Sequence, residues 1–221
     1  MVDGRGLEDT QDVTVNLNDV NEAPDIAAGQ AFDVAAGAPN GTSVGTVVAT
    51  DPDAGDTLTY AIVGGNTDNA FAINADTGEI TVNNVDALDF ETNPTFALSV
   101  RVVDGGALED TETVTVNLTN VNEAPGVGAG QSFGVEPGAA NGTSVGTVTA
   151  TDPDAGDTLA YAIVGGNTDN AFAINADTGE ITVNNTAALD PLTNPAFVLS
   201  VQVTDSGALT DAENVAINYV V

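Results

Sequence analysis

Three observations predict an all-β chain built as tandem seven-stranded Greek-key β-sandwiches. First, the sequence repeats with a period of 101 residues: segments 40–84 and 141–185 align without gaps and differ only at Val48/Thr149 and Thr59/Ala160. A period this long marks whole domains in tandem, because solenoid units are shorter. Second, short β-branched or alternating runs recur between clusters of Gly, Asn, Asp and Pro, and no segment sustains a helical period. Third, hydrophobic residues make up 42% of the 221 residues and aromatics only 5%. That is enough for real cores, built from Val, Ile, Leu, Ala and a few Phe.

The elements follow in order. Residues 1–20 match the end of a repeat, since "GLEDTQDVTVNL" (6–17) lies near "ALEDTETVTVNL" (107–118). They read as the last strand of a preceding, truncated copy. Such a strand has open edges and is expected to be disordered or to pair with another molecule. Residues 21–24 form a linker, 25–121 a first repeat, 122–125 a second linker and 126–221 a second repeat; "VNEAP" (20–24 and 121–125) marks both linkers. The strand runs of the first repeat are "AFDVAA", "TSVGTVVAT", "TLTYAIVG", "AFAIN", "GEITVN", "TFALSVRVVD" and "ETVTVNLT". Their number and brevity are the signature of a Greek-key sandwich. Ile62, Phe71, Ile73, Ile80, Val82, Phe96, Leu98, Val100 and Val102 are expected to supply much of its core. "DTGE" (76–79 and 177–180) reads as a hairpin turn. "NGT" (40–42 and 141–143) formally matches a glycosylation acceptor and reads as a turn.

Charge narrows the function. The chain carries 33 acids against two bases, Arg5 and Arg101, for a net charge of −31, and contains neither Cys nor His. Nucleic acid and anionic lipid would repel it, so neither is an expected partner. Disulfides, thiolate chemistry, zinc sites and histidine acid–base catalysis are excluded together. No apolar run approaches membrane-spanning length, so no direct membrane insertion is expected, and Met1 is not followed by a signal peptide. The chain reads as a piece of a longer protein. Paired carboxylates can hydrolyse glycosides, but these acids are clustered and duplicated along an array, and the chain reads as a non-enzyme.

The acids gather where strands end. "DPD" follows the second strand run, "LDFE" (88–91) precedes the sixth, "VVDGG" (102–106) closes it, and "VNEAP" joins one unit to the next. In an extended segment, residues i and i+2 project to the same side. Asp152 and Asp154 are therefore expected to converge, as are Asp89 and Glu91. Oxygen donors without nitrogen or sulfur suit Ca²⁺, which takes six to eight oxygens at roughly 2.3–2.6 Å. The cation is expected at the boundary between consecutive units.

The order of these motifs resembles that of cadherin repeats, especially the cadherin-like tandem domains of large bacterial surface adhesins. "LDFE" resembles the family's Leu-Asp-Arg-Glu motif, "DPD" its Asp-x-Asp motif, "VVDGG" its single late aspartate, and "VNEAP" a shortened form of its Asp-x-Asn-Asp-Asn-x-Pro linker. The resemblance spans essentially the whole chain. It implies a cadherin/immunoglobulin-like sandwich, an extracellular or cell-surface location, and calcium shared between adjacent repeats of the same chain. The complete junction would draw Asp89 and Glu91 from the first repeat and Asn122 and Glu123 from the linker, with carbonyls near Val121 and Ala124. Asp152, Asp154 and Asp205 would come from the second repeat. Asn21, Glu22, Asp51, Asp53 and Asp104 would form an N-terminal half-junction. An early glutamate of the family is replaced by Ala35 and Ala36, which favours two ions over three. In the second repeat "LDPL" keeps Asp190 but has Leu192 where Glu91 stood.

The implied function is a calcium-stiffened extender of a bacterial surface adhesin. The rival is a module that grips carbohydrate or another copy on a neighbouring cell. That rival calls for an exposed aromatic or apolar patch outside the junctions, which this composition argues against. A further possibility is a calcium-independent spacer whose acidity serves solubility.

Overall fold

A computed structural model of the chain describes residues 4–6 and 10–220. By contacts it divides into two units, Met1–Leu88 with Thr95–Leu118, and Asp89–Pro94 with Thr119–Val221. The described residues of both are all-β, apart from short 3₁₀ turns at Thr67–Asn69, Val85–Ala87, Thr168–Asn170 and Thr186–Ala188.

In the first unit the strands are β1 (Asp25–Ile26), β2 (Ala31–Ala35), β3 (Ser43–Thr46), β4 (Ala49–Thr50), β5 (Thr59–Gly64), β6 (Phe71–Ile73), β7 (Glu79–Val82), β8 (Thr95–Val103) and β9 (Glu109–Thr119). A four-stranded sheet in the order β2-β9-β8-β5 faces a three-stranded sheet in the order β3-β7-β6, and β1 pairs with β4. The seven expected runs are all present. The run 42–50 is broken into β3 and β4 because, beyond the Val47 N–H bond to the Gly78 carbonyl at 3.0 Å, Val48 donates its N–H to Gln30 Oε1 and Ala49–Thr50 pairs with β1 instead of β7. The "DTGE" hairpin joins β6 to β7: Asn74 Oδ1 accepts the N–H groups of Asp76 and Thr77, and Gly78 takes a positive φ of 71° that favours glycine.

The second unit repeats the plan. Its strands are β10 (Gly126–Val127), β11 (Ser132–Val135), β12 (Ser144–Thr147), β13 (Ala150–Thr151), β14 (Ala160–Gly165), β15 (Phe172–Ile174), β16 (Glu180–Val183), β17 (Phe197–Thr204) and β18 (Thr210–Tyr219). The large sheet runs β11-β18-β17-β14, the smaller β12-β16-β15, and β10 pairs with β13.

Alternation places the cores. Phe96, Leu98, Val100 and Val102 of β8 are buried, as are Phe71, Ile80 and Val82 from the facing sheet. Ile62 and Ile73 are only half-buried, near the rim. Val114, Val116 and Leu118 of β9, with Ile26, Val34 and Val47, complete the core. Edge-to-face rings knit the layers: Phe71 on Phe96 and Phe172 on Phe197, each with centroids 5.0 Å apart.

Residues 10–24 form no strand. Val13, Val15, Leu17 and Val20 are exposed, although the matches of the first three, Val114, Val116 and Leu118 of β9, are core. Residues 1–3 and 7–9, part of the segment read as a preceding copy's last strand, lie outside the described residues.

Candidate metal centre

The second unit gathers its acids around the turn after β13. Asp152, Asp154 and Asp157 place one carboxylate oxygen each within 4.8 Å of one another. Their convergence does not come from an extended strand, as the i, i+2 spacing suggested. It comes from a bend in which Asp152 Oδ1 accepts the Asp154 N–H at 2.9 Å. The Asp157 N–H then donates to the Asp154 carbonyl at 3.1 Å. Short aspartate side chains close such turns onto their own backbone.

That turn leaves Asp152 Oδ2 buried with no hydrogen-bond partner, and Asp51 Oδ2 in the first unit is left in the same way. A buried carboxylate oxygen without a donor is costly. A cation is the natural group to meet it.

The linker closes over the turn. The Glu123 N–H donates to Asp154 Oδ2 at 2.8 Å, and Asn120 Nδ2 donates to Asp154 Oδ1 at 2.7 Å. Asn122 Nδ2 donates to Asp205 Oδ2 at 2.8 Å, which leaves its amide oxygen free for a ligating role. Asp205 is only 6% exposed, and its Oδ1 accepts the Leu209 N–H at 2.7 Å. A side chain on Gly207 would lie 2.5 Å from Asn122 Nδ2, so the glycine of "VTDSG" makes room for the linker amide.

The turn 89–93 belongs by contacts to the same unit. Asp89 accepts both the Thr92 hydroxyl at 2.8 Å and the Thr92 N–H at 2.9 Å. These bonds hold its carboxyl below the ordinary range, the hydroxyl bond contributing most. Glu123 moves the opposite way: loss of water first, then the charges of Glu91, Asp154 and Asp89, raise its carboxyl above the ordinary value. Carboxylates from 89–91, 123 and 154 are thus close enough to repel one another.

The first unit carries the same device. Asp51, Asp56 and Asp104 converge within 4.8 Å. Asp51 Oδ1 accepts the Asp53 N–H, Asp53 Oδ2 accepts the Glu22 N–H, and Asn21 Nδ2 donates to Asp104 Oδ2 at 2.8 Å.

Sequence reasoning missed Asp56 and Asp157 as site residues. The signal was the third aspartate of "DPDAGD", which only the turn geometry turns inward. Asp157 is also held below the ordinary range, chiefly by the Ser206 hydroxyl and then by the Thr158 N–H. Neither Asp53 nor Asp205 joins the tight triad of its own unit: Asp53 bonds Asp51 through its own N–H and the linker through its carboxylate, and Asp205 bonds the linker amide of Asn122. Asp190 is held apart in its own turn, accepting the Leu192 N–H at 2.9 Å.

Residues 30–119 and 131–220 each match the cadherin domain. The chain therefore belongs to the cadherin-domain family, whose adhesion domains are non-enzymatic. It is 34% identical over 218 residues to the protocadherin-like wing polarity protein stan of Drosophila melanogaster, covering 93% of this chain and 6% of that protein. Human protocadherin Fat 1 is 31% identical over 224 residues, covering 97% of this chain and 5% of that protein. The chain thus spans only a small fraction of these relatives. Among solved structures, human Protocadherin-24 EC1-2 superposes with a TM-score of 0.69 at 25% identity, covering 91% of this chain and all of that one. Mouse Cadherin-23 EC22-24 gives 0.68 at 24% identity, covering 91% and 67%. These relatives are animal proteins and lend no support to the bacterial origin expected from the sequence. No helix among the described residues is long and apolar enough to cross a membrane.

Proposed function

We propose that each repeat holds Ca²⁺ where its "DPD" turn, its late aspartate and the "VNEAP" segment converge, and that the ion stiffens a tandem array acting as an extracellular spacer. In the second unit the ligands are Asp89, Glu91, Asn122, Glu123, Asp152, Asp154 and Asp205, with Asp157 added. In the first they are Asn21, Glu22, Asp51, Asp53 and Asp104, with Asp56 added. The observation that carries the reading is the buried, donorless oxygen of Asp152, repeated at Asp51, inside an oxygen-only triad.

When bound, Ca²⁺ supplies the positive charge that these carboxylates otherwise lack and lets them approach one another. Without it the acids repel, and the linkers 21–24 and 122–125 stay free to bend. Extracellular calcium modules bind at about 10⁻⁴–10⁻³ M, so calcium outside the cell saturates them and cytosolic calcium does not. At a hundred times the dissociation constant, each independent site adds about 2.7 kcal/mol to the folded state. The domain boundaries at 25–121 and 126–221 are part of this proposal. Attachment to a bacterial surface rests on the motif resemblance alone.

Calorimetric titration of the 221-residue chain tests it. Calcium binding is expected, with Asp152→Asn plus Asp154→Asn removing the second-unit site while the circular dichroism stays that of a folded β protein. Absence of any binding heat at millimolar calcium sinks the proposal. Small-angle scattering tests the mechanical half: an envelope equally extended with and without chelator means that calcium does not set the joint.

A further inference from the structure

The repeats differ most on one surface, the outward face of the large sheet. In the first unit that face carries Arg101, paired with Glu109 at 3.4 Å, and Asp33, which accepts from Asn117. At the matching positions of the second unit stand Gln202, Thr210 and Gly134. Reading outward residues from the alternation of β11, β14, β17 and β18, not one is charged. Glu136, just beyond β11, bounds the face.

Most of the remaining changes remove polarity, although Ala31 becomes Ser132 and Val103 becomes Thr204 in the opposite sense. Ala97 becomes Val198, Thr111 becomes Ala212, Thr115 becomes Ala216 and Thr119 becomes Val220. Thr59/Ala160, one of only two differences in the block 40–84, falls on this face as well. Val198 sits opposite Ala216 in the ladder, and Val220 occupies the space where a side chain on Gly134 would lie, 2.6 Å from its Cγ1. Val164, Val198 and Val220 are 55%, 54% and 46% exposed. The face is thus uncharged and mixed, with these three valines standing among Ala, Gly, Ser, Thr, Asn and Gln side chains.

From this we infer that the outward face of β11-β18-β17-β14 docks a second copy of the same face, sheet against sheet. The choice of partner follows from charge. On a chain with a net charge of −31, a second copy approaching an acidic surface meets like charge. Here it meets none. Side chains no larger than Val and Gln suit two sheets packed about 10 Å apart with aligned strands, and a two-fold axis makes the patch self-complementary. At about 3.3 Å per residue and 4.8 Å between strands, the face covers roughly 500 Å² per copy. The pair then buries roughly 1,000 Å², the lower limit for a specific interface. The single contact is accordingly weak, and tandem arrays would multiply it. The contact uses no carboxylate and does not depend on the calcium reading.

Sedimentation equilibrium of the full chain tests it. A monomer–dimer equilibrium is expected that tightens as salt rises, because only residual long-range repulsion opposes it. Val198→Glu with Asn214→Glu is expected to weaken the dimer about tenfold or more. The matched pair Ala97→Glu with Thr113→Glu on the first unit leaves it unchanged. The chain lacks cysteine, so a spin label on Gln202→Cys is unique and reports dipolar coupling between copies, whereas one on Arg101→Cys does not. A chain that stays monomeric at millimolar concentration and high salt overturns the inference. So does a dimer lost through the first-unit pair or through Val13→Asp with Val15→Asp, and so does a monomer that captures polysaccharide on this face.

Discussion

Gly207 shows how a single hydrogen atom positions a ligand. Its missing side chain is the space that Asn122 fills on its way to Asp205, and Gly106 plays the same part for Asn21. Gly207→Ala forces Asn122 off Asp205 and is expected to weaken calcium binding severalfold by calorimetry, with little change in the circular dichroism. Glu123 yields a prediction with two signs. Its folded carboxyl lies above the ordinary 4.5 through loss of water and the charges of Glu91, Asp154 and Asp89. The native state therefore holds more protons than the unfolded one as pH rises through that window, and ionising Glu123 costs stability. In chelator at neutral pH, Glu123→Gln is expected to raise Tm. With calcium present the charge becomes an asset, and the same change is expected to shrink the calcium-induced rise. Scanning calorimetry with and without the ion reads both signs.

At the scale of elements, strands were legible because alternation and turn residues agree. Every run expected in the first repeat forms, and the "DTGE" hairpin forms as its asparagine and glycine require. What sequence could not show was where the backbone leaves its ladder. The break between β3 and β4 depends on Val48 bonding to Gln30 and on Ala49–Thr50 turning to pair with β1, and the bends of "DPDAGD" depend on Asp152 capping Asp154. Both are contacts of fold, absent from spacing. Asp56 and Asp157 were missed for the same reason, since their inward turn has no periodic signature. Burial decides the cost of change within an element. Leu199 of β17 is fully buried in the second core, so Leu199→Ala is expected to lower unfolding free energy by about 2–5 kcal/mol in urea. The neighbouring outward Val198→Thr is expected to change it by under about 0.5 kcal/mol.

For the whole molecule, charge sets the balance. The cores are built of buried apolar side chains, yet 33 acids and two bases leave each fold straining against its own field. Two kinds of relief act differently. Monovalent salt shortens the Debye length from about 10 Å at 0.1 M to about 3 Å at 1 M and screens exposed acids, while buried groups such as Asp205 and Asp104 feel it far less. A divalent ion in the triads acts where salt cannot reach, on the donorless oxygens of Asp51 and Asp152. In chelator, Tm is therefore expected to climb steadily with sodium chloride. A few millimolar calcium is expected to add a further step that molar salt does not reproduce and that magnesium, which keeps its own waters, reproduces poorly. The step should vanish when Asp51→Asn and Asp152→Asn are combined, leaving the salt slope intact. A calcium effect no larger than that of sodium at equal ionic strength would reduce the clusters to surface charge.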